Sequence, residues 1–385
     1  MSDSGPRILI VAGEASGDLH GGSLVRALRE TLPGSRFFGM GGNRMRDAGV
    51  ETLFDIDRMG AVGVFEFLGD FAHYLKVYRT LVDEIVSKKY SAAILIDYPT
   101  LNLRLARHCR QQGCPVYFVI SPQIWAWRKG RIRHIRRDVT RMYVVLPFEE
   151  SIYRQAGVDV EFVGHPFVDH VFPSMTREES RKAFGLDSQK PIVGILPGSR
   201  QNEIRSLLGP LLDAARAIRE QIPDCQFILP VAETLDPAPI RALVESAALG
   251  VRVVTGRSYD VMNSCDCLMV ASGSATLEAG VLGCPMVIVY KFNILTYILA
   301  KLLVRIENFG LVNIVAGERV APELLQGEVT GNRVAREVLS ILQDPVRREH
   351  IASRLGRLRE SLGEPGVMTR VARSIAQNLE RRADP

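Results

Sequence analysis

The run Ser272-Gly273-Ser274-Ala275-Thr276-Leu277-Glu278 follows an apolar segment, Cys267 to Val270, and opens a helical pattern. A helix N-terminus presents unpaired backbone N–H groups and a partial positive charge, so it can hold a phosphate. Ser272, Gly273 and Ser274 are small enough to let a diphosphate approach the backbone. Glu278, a short way along the helix, is placed to accept hydrogen bonds from ribose hydroxyls. The same residues would also make an ordinary strand-to-helix turn with a serine cap. A second group, Gly13-Glu14-Ala15-Ser16-Gly17-Asp18-Leu19-His20, follows the first strand. It matches neither GxxxxGK[ST] nor GxGxxG, which argues against a P-loop and a standard dinucleotide site. Glu14, Ser16, Asp18 and His20 suit a hydroxyl-bearing ligand better than a pyrophosphate; the alternative is a helix cap by Ser16 or Asp18. Gly39-Met40-Gly41-Gly42 is a weaker candidate for a sugar or phosphate contact. Asp97 ends the apolar run Ala93-Ile94-Leu95-Ile96. A carboxylate desolvated there rises in pKa and becomes a useful proton acceptor. Otherwise Asp97 caps the helix that begins near Thr100.

Ser121 to Arg137 combines Trp125 and Trp127 with Arg128, Lys129, Arg131, Arg133, His134, Arg136 and Arg137. Basic residues interleaved with aromatics meet nucleic acid, phosphorylated lipids or acidic bilayers; a solvated basic helix is the alternative. The chain has no other basic block, so lipid or phosphate ranks above nucleic acid.

These groups need a scaffold. A chain of 385 residues predicts about two or three domains. Hydrophobic content of 46% with 24% charged residues predicts a soluble globular protein with a large core. A net charge of +5 and pI near 8.9 fit anionic ligands or an acidic membrane surface and are too weak to imply nucleic acid. The six cysteines form no CxxC pair, which predicts thiols packed as small apolar residues in a reducing cytosol. The start of the chain lacks the charged and apolar regions of a secretory signal. The apolar run Ile294 to Val304 is too short to span a bilayer, which needs about 20 residues. It reads as an interfacial helix or a buried core helix.

Strand-length apolar runs alternate with helical patterns, the signature of parallel α/β sheets. Strands are expected at 7–12, 36–39, 92–97, 115–120, 141–146 and 159–163, with helices at 19–31, near 70–87, at 101–112 and at 148–156. His165 to Met175, with Pro166 and Pro173, interrupts the pattern and is the linker candidate. Strands follow at 192–196, 225–231, 251–254, 267–270 and 285–290, with helices at 203–221, 237–248, 258–264 and 275–282. Arg333 to Arg382 reads as helical with breaks near Pro345 and at Gly363-Glu364-Pro365-Gly366. The expected fold is α/β, with two Rossmann-like domains whose parallel sheets face an interdomain cleft. Domain bounds are 1–167 for acceptor and lipid, 168–345 for the donor, and 346–385 for helices returning to the first domain.

With these residues in hand, the chain resembles the lipid-A-disaccharide synthases, glycosyltransferases of the two-domain GT-B type. The likeness runs end to end. It is carried by Val11 to Asp18, Ile96-Asp97-Tyr98-Pro99, Ser121-Pro122-Gln123-Ile124-Trp125-Ala126-Trp127, Pro147-Phe148-Glu149 and Val163-Gly164-His165-Pro166. Leu196-Pro197-Gly198-Ser199-Arg200 and Ser272 to Glu278 complete it, and both are shaped like nucleotide-sugar sites of GT-B enzymes generally. The resemblance implies that UDP-2,3-diacylglucosamine donates its sugar to the 6-hydroxyl of 2,3-diacylglucosamine 1-phosphate. The products are a β-1,6-linked disaccharide 1-phosphate and UDP, with inversion. It implies no metal and no cofactor, action at the cytoplasmic face of the inner membrane, and no nucleic acid; a homodimer stays open. Arg200 beside Ser199 would meet the diphosphate with the Ser272 to Ala275 turn and Thr276, and Glu278 the ribose. Thr255 to Tyr259 would line the uracil, and Asn313 is a further polar candidate near the donor. Asp97 is the first choice of base, with Glu14 and His20 behind it. Val62 to Leu68 and the helix near Ile294 would cover acyl chains, and the Trp/Arg segment would meet the acceptor phosphate or acidic lipids. The competing reading is another GT-B UDP-sugar enzyme, a UDP-sugar 2-epimerase or a different UDP-glucosamine transferase. The missing GxGxxG disfavours an NAD-dependent dehydrogenase.

Overall fold

The computed structural model describes residues 5–56, 71–125, 130–291 and 308–383. The chain divides into two compact units, residues 1–169 with 362–385, and residues 170–361. Unit 1 contains β1 (Arg7–Ala12), α1 (Ala15–Thr31), β2 (Arg36–Gly41), α2 (Asn43–Asp47), β3 (Val50–Asp55), α3 (Phe71–Ser87), β4 (Ala92–Ile96), α4 (Pro99–Gln111), β5 (Val116–Val119), α5 (Arg131–Asp138), β6 (Arg141–Val144), α6 (Pro147–Gln155) and β7 (Val160–Phe162). The short α7 (Phe167–His170) lies at the boundary. Unit 2 contains α8 (Arg177–Ala183), β8 (Ile192–Leu196), α9 (Gln201–Gln221), β9 (Gln226–Val231), α10 (Pro237–Ser246), β10 (Arg252–Thr255), α11 (Ser258–Ser264), β11 (Cys267–Ala271), α12 (Ser274–Val281), β12 (Met286–Tyr290), α13 (Leu311–Ala316), β13 (Glu323–Leu325), α14 (Gly331–Leu342) and α15 (Pro345–Ser361). The last helix, α16 (Val367–Ala383), belongs to unit 1.

Both sheets are parallel. Their orders are β3-β2-β1-β4-β5-β6-β7 and β10-β9-β8-β11-β12-β13. Inner strands such as β4, β5 and β8 are buried along their whole length, so they read as unbroken apolar runs rather than alternating ones. In each sheet the strand order reverses once, between β1 and β4 and between β8 and β11. Open α/β sheets bind ligands at that reversal, beyond the C-terminal strand ends. Ala12 stands opposite Ile96 in one sheet, and Leu196 opposite Val270 in the other. The register therefore sets the turn at Gly13 beside Asp97, and the turn at Pro197 beside Ala271 and Ser272.

The C-terminal helices depart from expectation. The segment 346–385 does not move as one piece, because α15 stays in unit 2 and only the chain from Leu362 joins unit 1. The reason is packing: Leu355 and Leu358 of α15 lie against Gly280 of α12, where a Cβ would come within 3.0 Å of Leu358. Beyond the break, α16 packs on α1 with Val367, Val371, Ala372 and Ile375 buried. Asp169 accepts hydrogen bonds from the backbone N–H groups of Gly366 (2.6 Å) and Val367 (3.0 Å), capping α16 from the linker. The six cysteines are all buried and free.

Candidate active site

At the unit 1 reversal, Asp97 and Tyr98 both adopt positive φ, 46° and 45°. Left-handed backbone costs a non-glycine residue about 1–2 kcal/mol and collects at functional sites. Buried Asn102 clamps this turn from α4, donating to the carbonyls of Ile96 (3.1 Å) and Asp97 (2.7 Å). The helix starts at Pro99 with Tyr98 as N-cap and no side-chain cap bond, so Asp97 is not the cap of α4. Burial raises its carboxyl pKa to about 6, the charge of Glu14 adds to the rise, and the Tyr98 N–H draws it partly back. Glu14 is the N-cap of α1, is exposed, and makes no side-chain cap bond. Ser16 is likewise exposed in the first turn of α1.

The other candidates at this end are more enclosed. His20 is 7% exposed and lies close enough to His165 to oppose its protonation. Burial first, and His20 second, lower the His165 pKa to about 3, so this imidazole is neutral and its Nδ1 accepts from the Phe167 N–H (3.1 Å). Asp18 caps a helix other than its own. Its carboxylate accepts from Gly42 (2.6 Å), Arg44 (3.0 Å) and Met45 (3.1 Å) and so holds the N-terminus of α2. This explains the glycines at 39–42 as a turn pinned by Asp18, in place of the sugar or phosphate contact expected there.

At the unit 2 reversal, Gly273 is the N-cap of α12 and no side chain caps that helix. A Cβ at Gly273 would meet nothing within 4 Å, so the turn faces open space. Ser274 is exposed, and its hydroxyl is hydrogen-bonded to Glu278. Burial raises the Glu278 pKa, and the Ser274 bond limits the rise. Tyr259 sits beside them, raised to about 12 by burial and then by the Glu278 charge. Glu278, Ser274 and Tyr259 thus form one polar cluster next to the turn after β10. Ala275 is half-buried in the first turn of α12.

The side chains of three expected binding residues also do structural work. Ser272 Oγ donates to the Phe309 carbonyl (3.0 Å), tying the turn to the segment before α13. Thr276 is fully buried and its Oγ1 donates to the Gly273 carbonyl (2.8 Å). Asn313 is fully buried with its amide bound four ways, to Ala321 O, Glu323 Oε1 and the N–H groups of Val320 and Ala321. All four hydrogen-bonding positions of the Asn313 amide are thus taken within the chain, where they hold the segment from Val320 to Glu323.

Arg200 is the N-cap of α9, with a side chain 81% exposed. Glu203, absent from the sequence reading, holds this turn. Its Oε2 accepts from the N–H groups of Ser199 (2.9 Å) and Arg200 (3.2 Å), and its Oε1 lies 3.7 Å from the Arg200 guanidinium. Gly198 at φ 116° leaves room for that carboxylate; a Cβ there would fall 2.2 Å from it. A glutamate at the third helical position is the usual reciprocal cap and was the available signal. Glu149, quoted above only as part of a motif, occupies the same position in α6. It is the third residue of α6, 1% exposed, accepts from Trp125 Nε1 (3.0 Å) and the Leu146 N–H (3.3 Å), and burial raises its pKa to about 7.

Val62 to Leu68, Ile294 to Val304, Trp127, Arg128 and Lys129 lie outside the described residues. Among the described residues, no helix is long and apolar enough to cross a membrane, and no group of three or more His, Cys, Asp or Glu is arranged to hold a metal ion.

A family model described as Lipid-A-disaccharide synthetase matches residues 8–375. A lipid-A-disaccharide synthase of Geobacter sulfurreducens is 48% identical over 373 residues, covering 97% of each chain. One of Myxococcus xanthus is 42% identical over 374 residues, covering 97% of this chain and 98% of its own. Among solved structures, a UDP-GlcNAc 2-epimerase from Neisseria meningitidis bound to UDP-GlcNAc superposes with a TM-score of 0.63 at 12% identity, covering 97% of this chain and 100% of that one. A calicheamicin glycosyltransferase gives 0.59 at 14% identity, covering 99% of both. At such identities these structures speak to the two-Rossmann GT-B fold alone.

Proposed function

The chain belongs to the lipid-A-disaccharide synthetase family, and on that premise we propose how its residues divide the work of glycosyl transfer. The reaction joins UDP-2,3-diacylglucosamine to 2,3-diacylglucosamine 1-phosphate and yields the β-1,6-linked disaccharide 1-phosphate and UDP, with inversion. In this proposal Asp97 takes the proton of the acceptor 6-hydroxyl as that oxygen bonds to the anomeric carbon. The bond from that carbon to the diphosphate breaks, and its electron pair leaves with UDP. Asp97 carries the proposal: a carboxylate at the sheet reversal, with a pKa near 6, is ionised at neutral pH and still basic enough to accept a proton. Glu14 tunes that pKa by its charge. His20, enclosed beside His165, ranks behind both carboxylates.

The leaving diphosphate would meet the uncapped N-terminus of α12 at Gly273 to Ala275 and the exposed guanidinium of Arg200. Glu278 and Ser274 would hold the ribose, with the uracil near Thr255 to Tyr259. Charge neutralisation by these groups makes the proposed reaction independent of added metal. Work at the cytoplasmic face of the inner membrane, with acyl chains covered by Val62 to Leu68 and Ile294 to Val304, belongs to the same proposal.

Release of UDP by the full chain, with each substrate omitted in turn and with a chelator present, tests this function. The expected result is release only when both sugars are supplied, at a rate the chelator leaves unchanged. Turnover of the UDP-sugar without acceptor would point to an epimerase or hydrolase.

A further inference from the structure

Unit 1 carries a cationic groove that joins part of the basic segment, Arg131 to Arg137, to two arginines of α4 that none of the roles above uses. Its walls are one face of α4 and one face of α5, and its volume is about 270 Å³. From α4 come Arg104 and Arg107, both exposed, in line with Thr100 along the i, i+4, i+7 stripe of the helix. From α5 come Arg131, His134 and Arg137. Four guanidinium groups thus line a space containing one carboxylate, Asp138. That carboxylate is held by Arg137, through Nε to Oδ1 (2.7 Å) and Nη2 to Oδ2 (2.6 Å), which fixes the arginine in the wall. Arg104 is steadied by a hydrogen bond from Nη1 to the Tyr74 hydroxyl (2.9 Å). Among the described residues neither Arg104 nor Arg107 forms an ion pair. Like charges set on two facing helices repel, so the packing of α4 on α5 alone gives no reason for this excess.

We propose that this groove is a phosphomonoester subsite that takes the 1-phosphate of the acceptor sugar. Several planar guanidinium forks match a phosphate dianion better than they match a single carboxylate. The groove also begins at Pro99 and Thr100, directly after the Asp97-Tyr98 turn. From Thr100 to Arg107 a helix rises about 10 Å. In this proposal a hexose lies along that span, its 6-hydroxyl toward Asp97 and its 1-phosphate among the arginines. The inference rests on the glycosyl-transfer reading only for the identity of the sugar; the anion site itself is read without turnover.

The experiment titrates the full chain with glucosamine 1-phosphate, glucosamine and inorganic phosphate, using wild type and the exposed double variant Arg104→Ala/Arg107→Ala, with Arg107→Lys as the conservative control. Wild type should bind glucosamine 1-phosphate and discriminate against the other two. The double variant should bind it at least about tenfold more weakly, as lost charged hydrogen bonds predict, and Arg107→Lys should lose less. With lipid substrates, KM for the phosphorylated acceptor should rise in parallel while KM for the UDP-sugar holds. Unchanged binding in the double variant overturns the proposal. So does inorganic phosphate binding as well as the sugar phosphate, which would make free phosphate the ligand. Loss of binding to phosphatidylglycerol vesicles with acceptor KM intact would assign the arginines to the bilayer and also overturn it. Should wild type bind glucosamine 1-phosphate through these arginines yet release no UDP, the transfer reading fails and the anion subsite stands.

Discussion

Where strand order reverses between β1 and β4, the chain sets two carboxylates, Glu14 and Asp97, side by side; at the equivalent reversal between β8 and β11 it sets an arginine, small residues and an uncapped helix N-terminus. The backbone solution is shared and the chemistry is opposite. In unit 1, burial and a neighbouring negative charge push a carboxylate up toward proton exchange near neutral pH. In unit 2, open amides and a guanidinium make a place for negative charge. A parallel sheet fixes where a ligand binds, and the residue types at the strand ends decide which charge that place favours.

The largest test of this contrast is Asp97→Asn. It should lower kcat by about 10² to 10⁴ while UDP affinity, measured by calorimetry, stays at the wild-type value. Near-normal turnover would move the base away from this turn. Next comes Arg200→Ala, expected to weaken UDP binding by about 10- to 100-fold, the range of a lost charged contact, with the pH profile unmoved. Equal UDP affinity in both proteins would take Arg200 out of the diphosphate site. A smaller effect concerns pH. Asp97 must be ionised to accept a proton, and its pKa is raised to about 6, so kcat/KM should fall about tenfold per unit below that pH. Glu14→Gln removes one cause of the rise, so the acid limb should move to lower pH; a limb that stays put would uncouple the two carboxylates. The smallest effect belongs to Glu203→Gln. Its carboxylate now lies on the amides of Ser199 and Arg200. Removing the charge should tighten UDP binding about two- to fivefold, at a cost of some tenths of a kcal/mol in stability. Unaltered affinity would show that the diphosphate does not meet this end of α9.

Buried parallel strands announce themselves as apolar runs, which is why β1, β4, β5, β8 and β11 were legible within a residue or two of their observed ends. The edge strand β3 is half-exposed, β13 has three residues, and neither carries such a run. Asp97 was legible because a carboxylate closing an apolar strand is locally anomalous. The buried hydrogen bonds of Asn313 were not legible because its partner Glu323 lies ten residues away across a turn. Asp18 was offered as a ligand contact, with a cap of its own helix as the alternative; its partners at 42, 44 and 45 lie at the N-terminus of α2. Arg104 and Arg107 show a helical spacing in sequence, but only the packing of α4 on α5 turns them into a groove.

The capping of α16 by Asp169 has a consequence for how the protein is made. Unit 1 is discontinuous: its sheet is complete in sequence by Phe162, yet the helix covering α1 begins at Val367. On the ribosome, the apolar face of α1 must wait for the whole of unit 2 to emerge before its partner exists. Domains otherwise tend to fold in order of synthesis, N-terminal first. Here the first unit to be translated is the last to be finished, and a chain cut after α15 would leave it with an uncovered face for chaperones and proteases to find.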